Sequence, residues 1–110
     1  MVLSKKINPS SRTWIPNVIR RGKKIINSEI KMYFIASRRH DSKIAILVSK
    51  KIDKRAVVRN KLRRRAREII HSLLPHVKSS YDIVISFQKG VENLSFQELK
   101  KKLNKFFKSI

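Results

Sequence analysis

The amino-acid sequence predicts an α+β domain in which helices pack on a central sheet. Alternating apolar residues at 30–36 and 81–87 predict strands, and an amphipathic pattern from about Arg55 to Leu74 predicts a long helix between them. The 110 residues, 41% of them hydrophobic, suffice for the core of one domain, 1–110, with 1–10 as a candidate disordered arm. The predicted order is helix, two or three strands, long helix, strand and helix.

The first helix is predicted from a short amphipathic segment that contains Trp14, Ile15, Val18 and Ile19. Gly22 follows this segment and is expected to end the helix. Pro16 leaves two alternatives, because a proline inside a helix removes a hydrogen bond and clashes with the preceding turn. The helix either begins near Pro16 or is kinked there.

The strands are assigned from the residues that share a face. In the first, one face carries Ile30, Met32, Phe34 and Ala36, and the other carries Lys31, Tyr33 and Ile35. Residues 44–48 form a nearly continuous apolar run, as expected for a strand that is covered on both sides. A helix separates this run from the strand at 81–87, so the two strands are parallel if they pair.

The last helix has the clearest start. Ser95 and Glu98 have the spacing of a capping box, and Leu94 and Leu99 have that of a hydrophobic staple. Its predicted apolar stripe consists of Leu99, Leu103, Phe106, Phe107 and Ile110, and lysines cover the remaining surface. Two boundaries are predicted before this helix. Pro75 ends the long helix, and Gly90 marks a turn.

The charge of the chain predicts a polyanionic partner. There are 28 Lys and Arg against 7 Asp and Glu, which gives a formal net charge of +21. The chain has no cysteine, which excludes disulfides, a thiolate nucleophile and Cys-ligated zinc. No apolar run is long enough to span a membrane, and the first residues lack the apolar region of a secretory signal. We therefore expect a cytoplasmic nucleic-acid-binding protein with no membrane partner.

The long helix carries the strongest functional pattern. Six of the nine residues from Arg59 to Arg67 are basic. An apolar stripe of Val58, Leu62, Ala66, Ile69 and Leu73 is expected to face the sheet, and Asn60, Arg63, Arg64 and Arg67 are expected on the opposite side. Guanidinium groups suit bidentate contacts with phosphate. A merely solvated face is the alternative, but neighbouring like charges destabilise a free helix, which favours a polyanion.

Catalysis by the protein itself is not expected. The seven acidic residues are spread singly along the sequence. His71 and His76 have poor spacing for one zinc site on a helix, and His40 lies in a polar turn. The predictions are therefore no catalytic residue and no metal ligand in the protein.

The decisive residues also resemble a known family. Ser49-Lys50-Lys51, followed by the segment 56–68 with Arg59, Asn60 and Arg63 at its centre, resembles the signature of the bacterial ribonuclease P protein subunit. Further similarity is found at 20–23, 81–85 and 94–99, so the resemblance covers nearly the whole chain in order.

The resemblance implies an αβββαβα sandwich whose long helix forms a left-handed crossover between parallel strands, against the usual right-handed rule. It implies a protein that associates with the catalytic RNA of ribonuclease P, binds the 5′ leader of precursor tRNA and promotes endonucleolytic removal of that leader. In this family the RNA carries the catalysis with Mg²⁺, so no cofactor intrinsic to the protein and no obligate protein partner are expected.

The resemblance also implies site residues. The RNA-binding residues would be Lys50, Lys51, Arg55, Arg59, Asn60, Arg63, Arg64 and Arg67. The leader cleft would contain Ile15, Ile19, Lys31 and Tyr33. Isoleucines stand at 15 and 19 where the family has aromatic residues, which removes base stacking at those positions. Trp14 either replaces a lost aromatic residue or belongs to the core.

Two other classes of protein share parts of this pattern. Ribosomal proteins and RNA chaperones without a processing role are equally small, basic and free of cysteine, and only the 59–68 motif with its flanking segments favours ribonuclease P over them. A helix-turn-helix DNA-binding protein needs a second helix a few residues from the basic one. Here strands flank the basic helix instead, which disfavours that class.

Overall fold

The computed structural model describes residues 13–37, 42–77 and 79–110. Across these ranges the elements are α1 (Ile15–Arg21), β1 (Lys23–Ile26), β2 (Ile30–Ala36), β3 (Lys43–Leu47), α2 (Ala56–Leu73), β4 (Tyr81–Phe87) and α3 (Phe96–Lys108), with 3-10 turns at Leu74–His76 and Val91–Asn93. This order confirms the predicted α+β class and the αβββαβα arrangement. The candidate arm at 1–10 and the turn with His40 lie outside the described residues.

The strands form one sheet with the order β1-β2-β4-β3. β2 pairs antiparallel with both β1 and β4, whereas β3 pairs parallel with β4. The predicted parallel pairing of the strands on either side of α2 is confirmed. The left-handed sense of that crossover stays a prediction. Among the described strands β3 pairs with β4 alone, so it is an edge strand of the described sheet.

Apolar side chains cover both faces of the sheet, as period-two alternation requires. The larger core lies under α2 and α3 and includes Ile30, Met32, Ile44, Ile46, Ile83, Ile85, Leu62, Ala66, Ile69 and Leu103. The smaller one lies under α1 and consists of Ile15, Val18, Ala45 and Val84. The run at 44–48 is nearly all apolar because both faces of this strand are covered. Ile44 and Ile46 belong to the larger core, and Ala45 belongs to the smaller one.

The start of α1 decides between the two alternatives for Pro16. The helix begins at Ile15, and Pro16 lies in its first turn. A first-turn N–H has no partner inside the helix, so its absence from proline costs little there. The helix is therefore not kinked at Pro16.

Gly22 ends α1 for a steric reason rather than a conformational one. Its φ of −73° is open to any residue. A Cβ at this position would lie 2.5 Å from the carbonyl oxygen of Val18 and 2.8 Å from that of Phe34. Glycine lets the chain pass between α1 and β2 as β1 begins.

The last helix begins as predicted. The Glu98 backbone N–H donates to Ser95 Oγ at 3.1 Å, and the Ser95 backbone N–H donates to Glu98 Oε1 at 2.9 Å. Both halves of the capping box are thus present. An ion pair of 3.1 Å between Lys102 Nζ and Glu29 Oε1 joins α3 to the β1–β2 turn.

Candidate nucleic-acid interface

The segment between β3 and α2 positions the basic helix. Ile52 is buried in the larger core, and its backbone N–H donates to the carbonyl of Ser49 at 3.1 Å. The carbonyl of Ile52 accepts a hydrogen bond from Lys89 Nζ at 3.2 Å. The buried Ile52 side chain and these two hydrogen bonds therefore fix the β3–α2 connection to the rest of the domain. The position at which α2 begins is fixed as a result.

Asp53 organises the residues directly before α2. Its Oδ1 accepts from the backbone N–H of Arg55 at 2.9 Å and from Arg55 Nε at 3.1 Å, while Oδ2 accepts from Arg55 Nη2 at 3.0 Å. These bonds lower the pKa of Asp53 to about 2, the side-chain bond from Arg55 being the largest cause. Arg55, a predicted RNA-binding residue, is exposed, but its guanidinium group already forms an ion pair with the Asp53 carboxylate.

Arg59 also contacts the chain before the helix. Its Nη1 donates to the carbonyl of Asp53 at 3.0 Å and to that of Lys54 at 2.8 Å, and the side chain is half-buried. A guanidinium carries five N–H donors, so donors remain for a phosphate. Arg59 fixes the entry into α2 and presents a positive charge beside it.

Arg63 joins the second turn of α2 to the end of β3. Its Nη1 donates to Asn60 Oδ1 at 2.7 Å, and its Nη2 donates to the carbonyl of Val48 at 3.3 Å. With Oδ1 accepting, the NH₂ group of the exposed Asn60 side chain remains as a donor. The middle of the basic motif is therefore held toward the β3 edge.

The structure divides the predicted basic face in two. Asn60 and Arg64 are exposed, whereas Arg63 and Arg67 are half-buried, and Arg67 Nε is buried with no hydrogen-bond partner among the described residues. The prediction that all four lie opposite the core is therefore corrected for Arg63, which is bonded to the end of β3, and for Arg67, which is half-buried. We call Arg59, Arg63 and Arg67 the arginine flank.

Two lysines extend this basic region. Lys50 and Lys51 are exposed in the turn that follows β3. They follow Val48, whose carbonyl accepts the bond from Arg63, by two and three residues. Of the predicted RNA-binding residues, Lys50, Lys51, Arg55, Arg59 and Arg63 thus lie around the β3–α2 connection and the adjoining side of α2.

The face of the sheet under α1 carries the predicted cleft residues of β2. Lys31 and Tyr33 are half-buried there. The β1–β2 register places Lys24 opposite Tyr33, and Lys24 Nζ lies 5.8 Å from the centre of the Tyr33 ring. Lys24 was not among the predicted cleft residues, because β1 has no clear alternation and its register with β2 is a tertiary property.

The two predicted isoleucines of the cleft differ in position. Ile19 is 38% exposed and accessible from the α1 face. Ile15 is only 8% exposed and belongs to the core under α1, so its assignment to the cleft surface is corrected to a packing role. Trp14 is half-buried against the same core, with Lys43 Nζ 5.7 Å from its ring centre.

The described carboxylates do not form a metal site. No group of three or more His, Asp or Glu residues in the described ranges is arranged to hold a metal ion. Asp53 contacts Arg55, Glu29 pairs with Lys102, and Glu92 pairs with Lys89 at 3.3 Å. Within the same ranges no helix has the length and apolarity needed to cross a membrane.

Comparison with known proteins gives consistent results. A family model described as Ribonuclease P matches residues 3–110. The ribonuclease P protein component of Streptococcus agalactiae serotype III (strain NEM316) is 35% identical over 86 residues, covering 78% of this chain and 77% of the relative. That of Synechocystis sp. (strain ATCC 27184 / PCC 6803 / Kazusa) is 38% identical over 69 residues, covering 62% of this chain and 56% of the relative.

Solved structures show the same fold. The RNase P protein of Thermotoga maritima, in complex with 1-(4-fluorophenyl)-2-thiourea, superposes with a TM-score of 0.83 at 26% identity, covering 90% of this chain and 95% of that one. The RNase P protein of Staphylococcus aureus superposes with a TM-score of 0.82 at 21% identity, covering 91% of each chain. The second likeness concerns the fold alone.

Proposed function

The chain belongs to the ribonuclease P protein family, whose role is that of a subunit in a tRNA-processing ribonuclease, and from this we propose how it works. The arginine flank, with Lys50, Lys51 and Asn60, binds the catalytic RNA. The α1 face binds the 5′ leader of precursor tRNA. The RNA carries the cleavage chemistry, and the protein strengthens the hold on the substrate.

The observation that carries the proposal is the fixed orientation of two members of the arginine flank, Arg59 and Arg63. Arg59 and Arg63 are each held by hydrogen bonds to backbone carbonyls of the β3–α2 connection. Side chains that are already ordered lose less entropy when they bind a phosphate. Planar guanidinium groups then contact phosphate oxygens in pairs. A solvated face of mobile side chains would not need such anchoring.

The α1 face supports leader binding through Tyr33 and Lys31. An aromatic ring next to cationic side chains is the usual arrangement for single-stranded nucleic acid, because bases stack on the ring and phosphates meet the charges. Lys24 beside the Tyr33 ring adds a second cation. With isoleucine at 15 and 19, Tyr33 is the stacking platform that this face offers among the predicted cleft residues.

In this proposal Mg²⁺ is bound by the RNA and not by the protein. Mg²⁺ prefers oxygen ligands and is usually held by one or two carboxylates together with phosphates. In the described ranges Asp53, Glu29 and Glu92 are each engaged with a neighbouring cation, so these residues do not fit a resident Mg²⁺ site. No step of the reaction is assigned to a side chain of this protein.

The test is cleavage of precursor tRNA at low Mg²⁺ by a bacterial ribonuclease P RNA, with and without the protein. We expect a single cut at the mature 5′ end that requires the RNA and is accelerated by the protein. Cleavage by the protein alone would overturn the assignment of the chemistry to RNA. Tight RNA binding without acceleration would favour a ribosomal or chaperone role instead.

Salt dependence tests the electrostatic part separately. Each phosphate contact contributes about 0.7–0.9 to the slope of log affinity against log salt concentration. With several arginines in contact, the affinity for the catalytic RNA should fall steeply as salt rises. A flat dependence would contradict phosphate binding by the arginine flank.

A further inference from the structure

A groove runs between α2 and α3. It consists of two cavities of about 680 Å³ and 470 Å³ that share Leu73 and Asn104 in their linings. We call the pair the α2–α3 groove. No residue proposed above to bind the catalytic RNA or the leader lines either cavity.

The groove lies on the other side of α2 from the arginine flank. Ser72 lines the larger cavity and follows Arg63 by nine residues, which is two and a half helical turns. The two side chains therefore leave α2 in opposite directions, Arg63 toward Val48 and Ser72 toward α3. α1 packs on the opposite face of the sheet, so the groove is also remote from the α1 face, which is proposed to bind the leader.

The rim of the groove is basic. Lys100 and Lys101 line the smaller cavity and Lys108 lines the larger one, and all three are exposed. Glu98 also lines the smaller cavity, but its Oε1 accepts the capping hydrogen bond from Ser95. Lys101 and Lys108 are seven residues apart on α3, so their Cα atoms are about 10 Å apart along the helix axis. Two cations at this spacing suit an extended polyanionic chain better than a single phosphate group.

The interior of the groove combines polar and apolar groups. Asn104 offers an amide between the two cavities, and Ser79 offers a hydroxyl group in the larger one. Ser72 Oγ donates to the carbonyl of Ile69 at 2.6 Å and remains as an acceptor. Leu73 and Val77 provide apolar surface beside them. In duplex RNA the bases are stacked inside, whereas in a single strand they are free to enter such a groove.

We propose that the α2–α3 groove binds the backbone of a single-stranded RNA segment and so forms a second RNA-contacting surface, on the opposite side of α2 from the arginine flank. The lysines contact phosphates, and the polar and apolar interior accepts the bases without sequence preference. This inference rests on the proposed function, which supplies an RNA partner. The segment belongs to the catalytic RNA, because the groove lies on the helix that also carries the arginine flank and is remote from the α1 face, where the leader binds.

The test compares two double variants that remove equal charge. Lys101→Gln with Lys108→Gln changes the groove, and Lys23→Gln with Lys105→Gln changes exposed lysines that line neither cavity. Affinity is measured against salt in two arms, the catalytic RNA alone and precursor tRNA with the preformed holoenzyme. Thermal unfolding of each free protein verifies that it is folded.

The groove variant should lower the salt slope by about 1.5 in the arm with the catalytic RNA alone, because it loses two phosphate contacts. A change confined to the precursor-tRNA arm, an equal effect of the two double variants, or no change of slope in either arm would overturn the inference. Wild-type protein that fails to accelerate precursor cleavage would instead contradict the proposed function, so the two failures are distinguishable.

Discussion

Arg63 Nη2 donates a hydrogen bond to the carbonyl oxygen of Val48 at 3.3 Å, so a residue in the second turn of α2 is attached to the end of β3. The two residues are fifteen positions apart in sequence. Since β3 is an edge strand of the described sheet, this bond holds the Arg63 side chain toward that edge, while the apolar side of α2 covers a face of the sheet. It also makes Arg63 both a structural and a candidate RNA-binding residue.

The first prediction concerns the arginine flank. Arg63→Ala combined with Arg67→Ala should weaken binding to the catalytic RNA at least about tenfold, because hydrogen bonds between charged groups contribute about 1.5–3 kcal/mol each. The free energy of unfolding should fall by only about 1 kcal/mol through loss of the Val48 contact. Filter binding and urea unfolding measure the two quantities. An unfolded double variant by circular dichroism would show that these side chains support the fold instead.

The second prediction separates the two isoleucines of α1. Ile19→Phe should tighten binding of precursor tRNA by the holoenzyme about fivefold or more, because base stacking on an exposed ring contributes about 1–3 kcal/mol. Ile15→Phe should bring no gain and should lower the free energy of unfolding by about 1–3 kcal/mol, because that site is buried and becomes overpacked. A substrate with a one-nucleotide leader is the control. Equal gains for both variants would contradict the burial of Ile15.

The third prediction concerns pH. The folded pKa of Asp53, about 2, lies below its ordinary value of 3.8, since Arg55 stabilises the carboxylate. The ionised form therefore contributes stability above about pH 4, and this contribution is lost as the pH falls toward 2. Between pH 5 and pH 3 the urea midpoint of the wild type should fall more than that of Asp53→Asn. Parallel curves would show that the Asp53–Arg55 contact does not stabilise the fold.

The fourth prediction concerns Gly22. Replacement of a glycine by alanine at an ordinary φ usually stabilises a protein by about 0.4–1 kcal/mol. Gly22→Ala should instead lower the free energy of unfolding by about 1–3 kcal/mol, because its Cβ would press against the backbone of Val18 and Phe34. Thermal unfolding decides the sign. A stabilised variant would mean that α1 and β2 separate easily at this point.

Local patterns account for what was predicted correctly. The spacing of apolar residues in 30–36, 56–73 and 81–87 reflects burial within each element, so the elements and their buried faces followed from periodicity. The Ser95–Glu98 capping box is a contact across three residues and was equally visible. β1 was not assigned individually, because four residues with two lysines give no alternation and gain their strand geometry from pairing with β2.

The sequence by itself determined the α+β class, the order of the main elements, the basic motif of α2 and the family resemblance, because all of these depend on residues that are close along the chain. Tertiary structure alone decided that Arg63 of α2 contacts the end of β3 and that Ile15 is buried while Ile19 is accessible. It also decided that Lys24 lies beside Tyr33 and that a groove runs along the surface where α2 and α3 meet. Periodicity identifies the face of a helix that is buried. Which residues contact that face depends on the sheet register and on packing between segments that are distant in sequence.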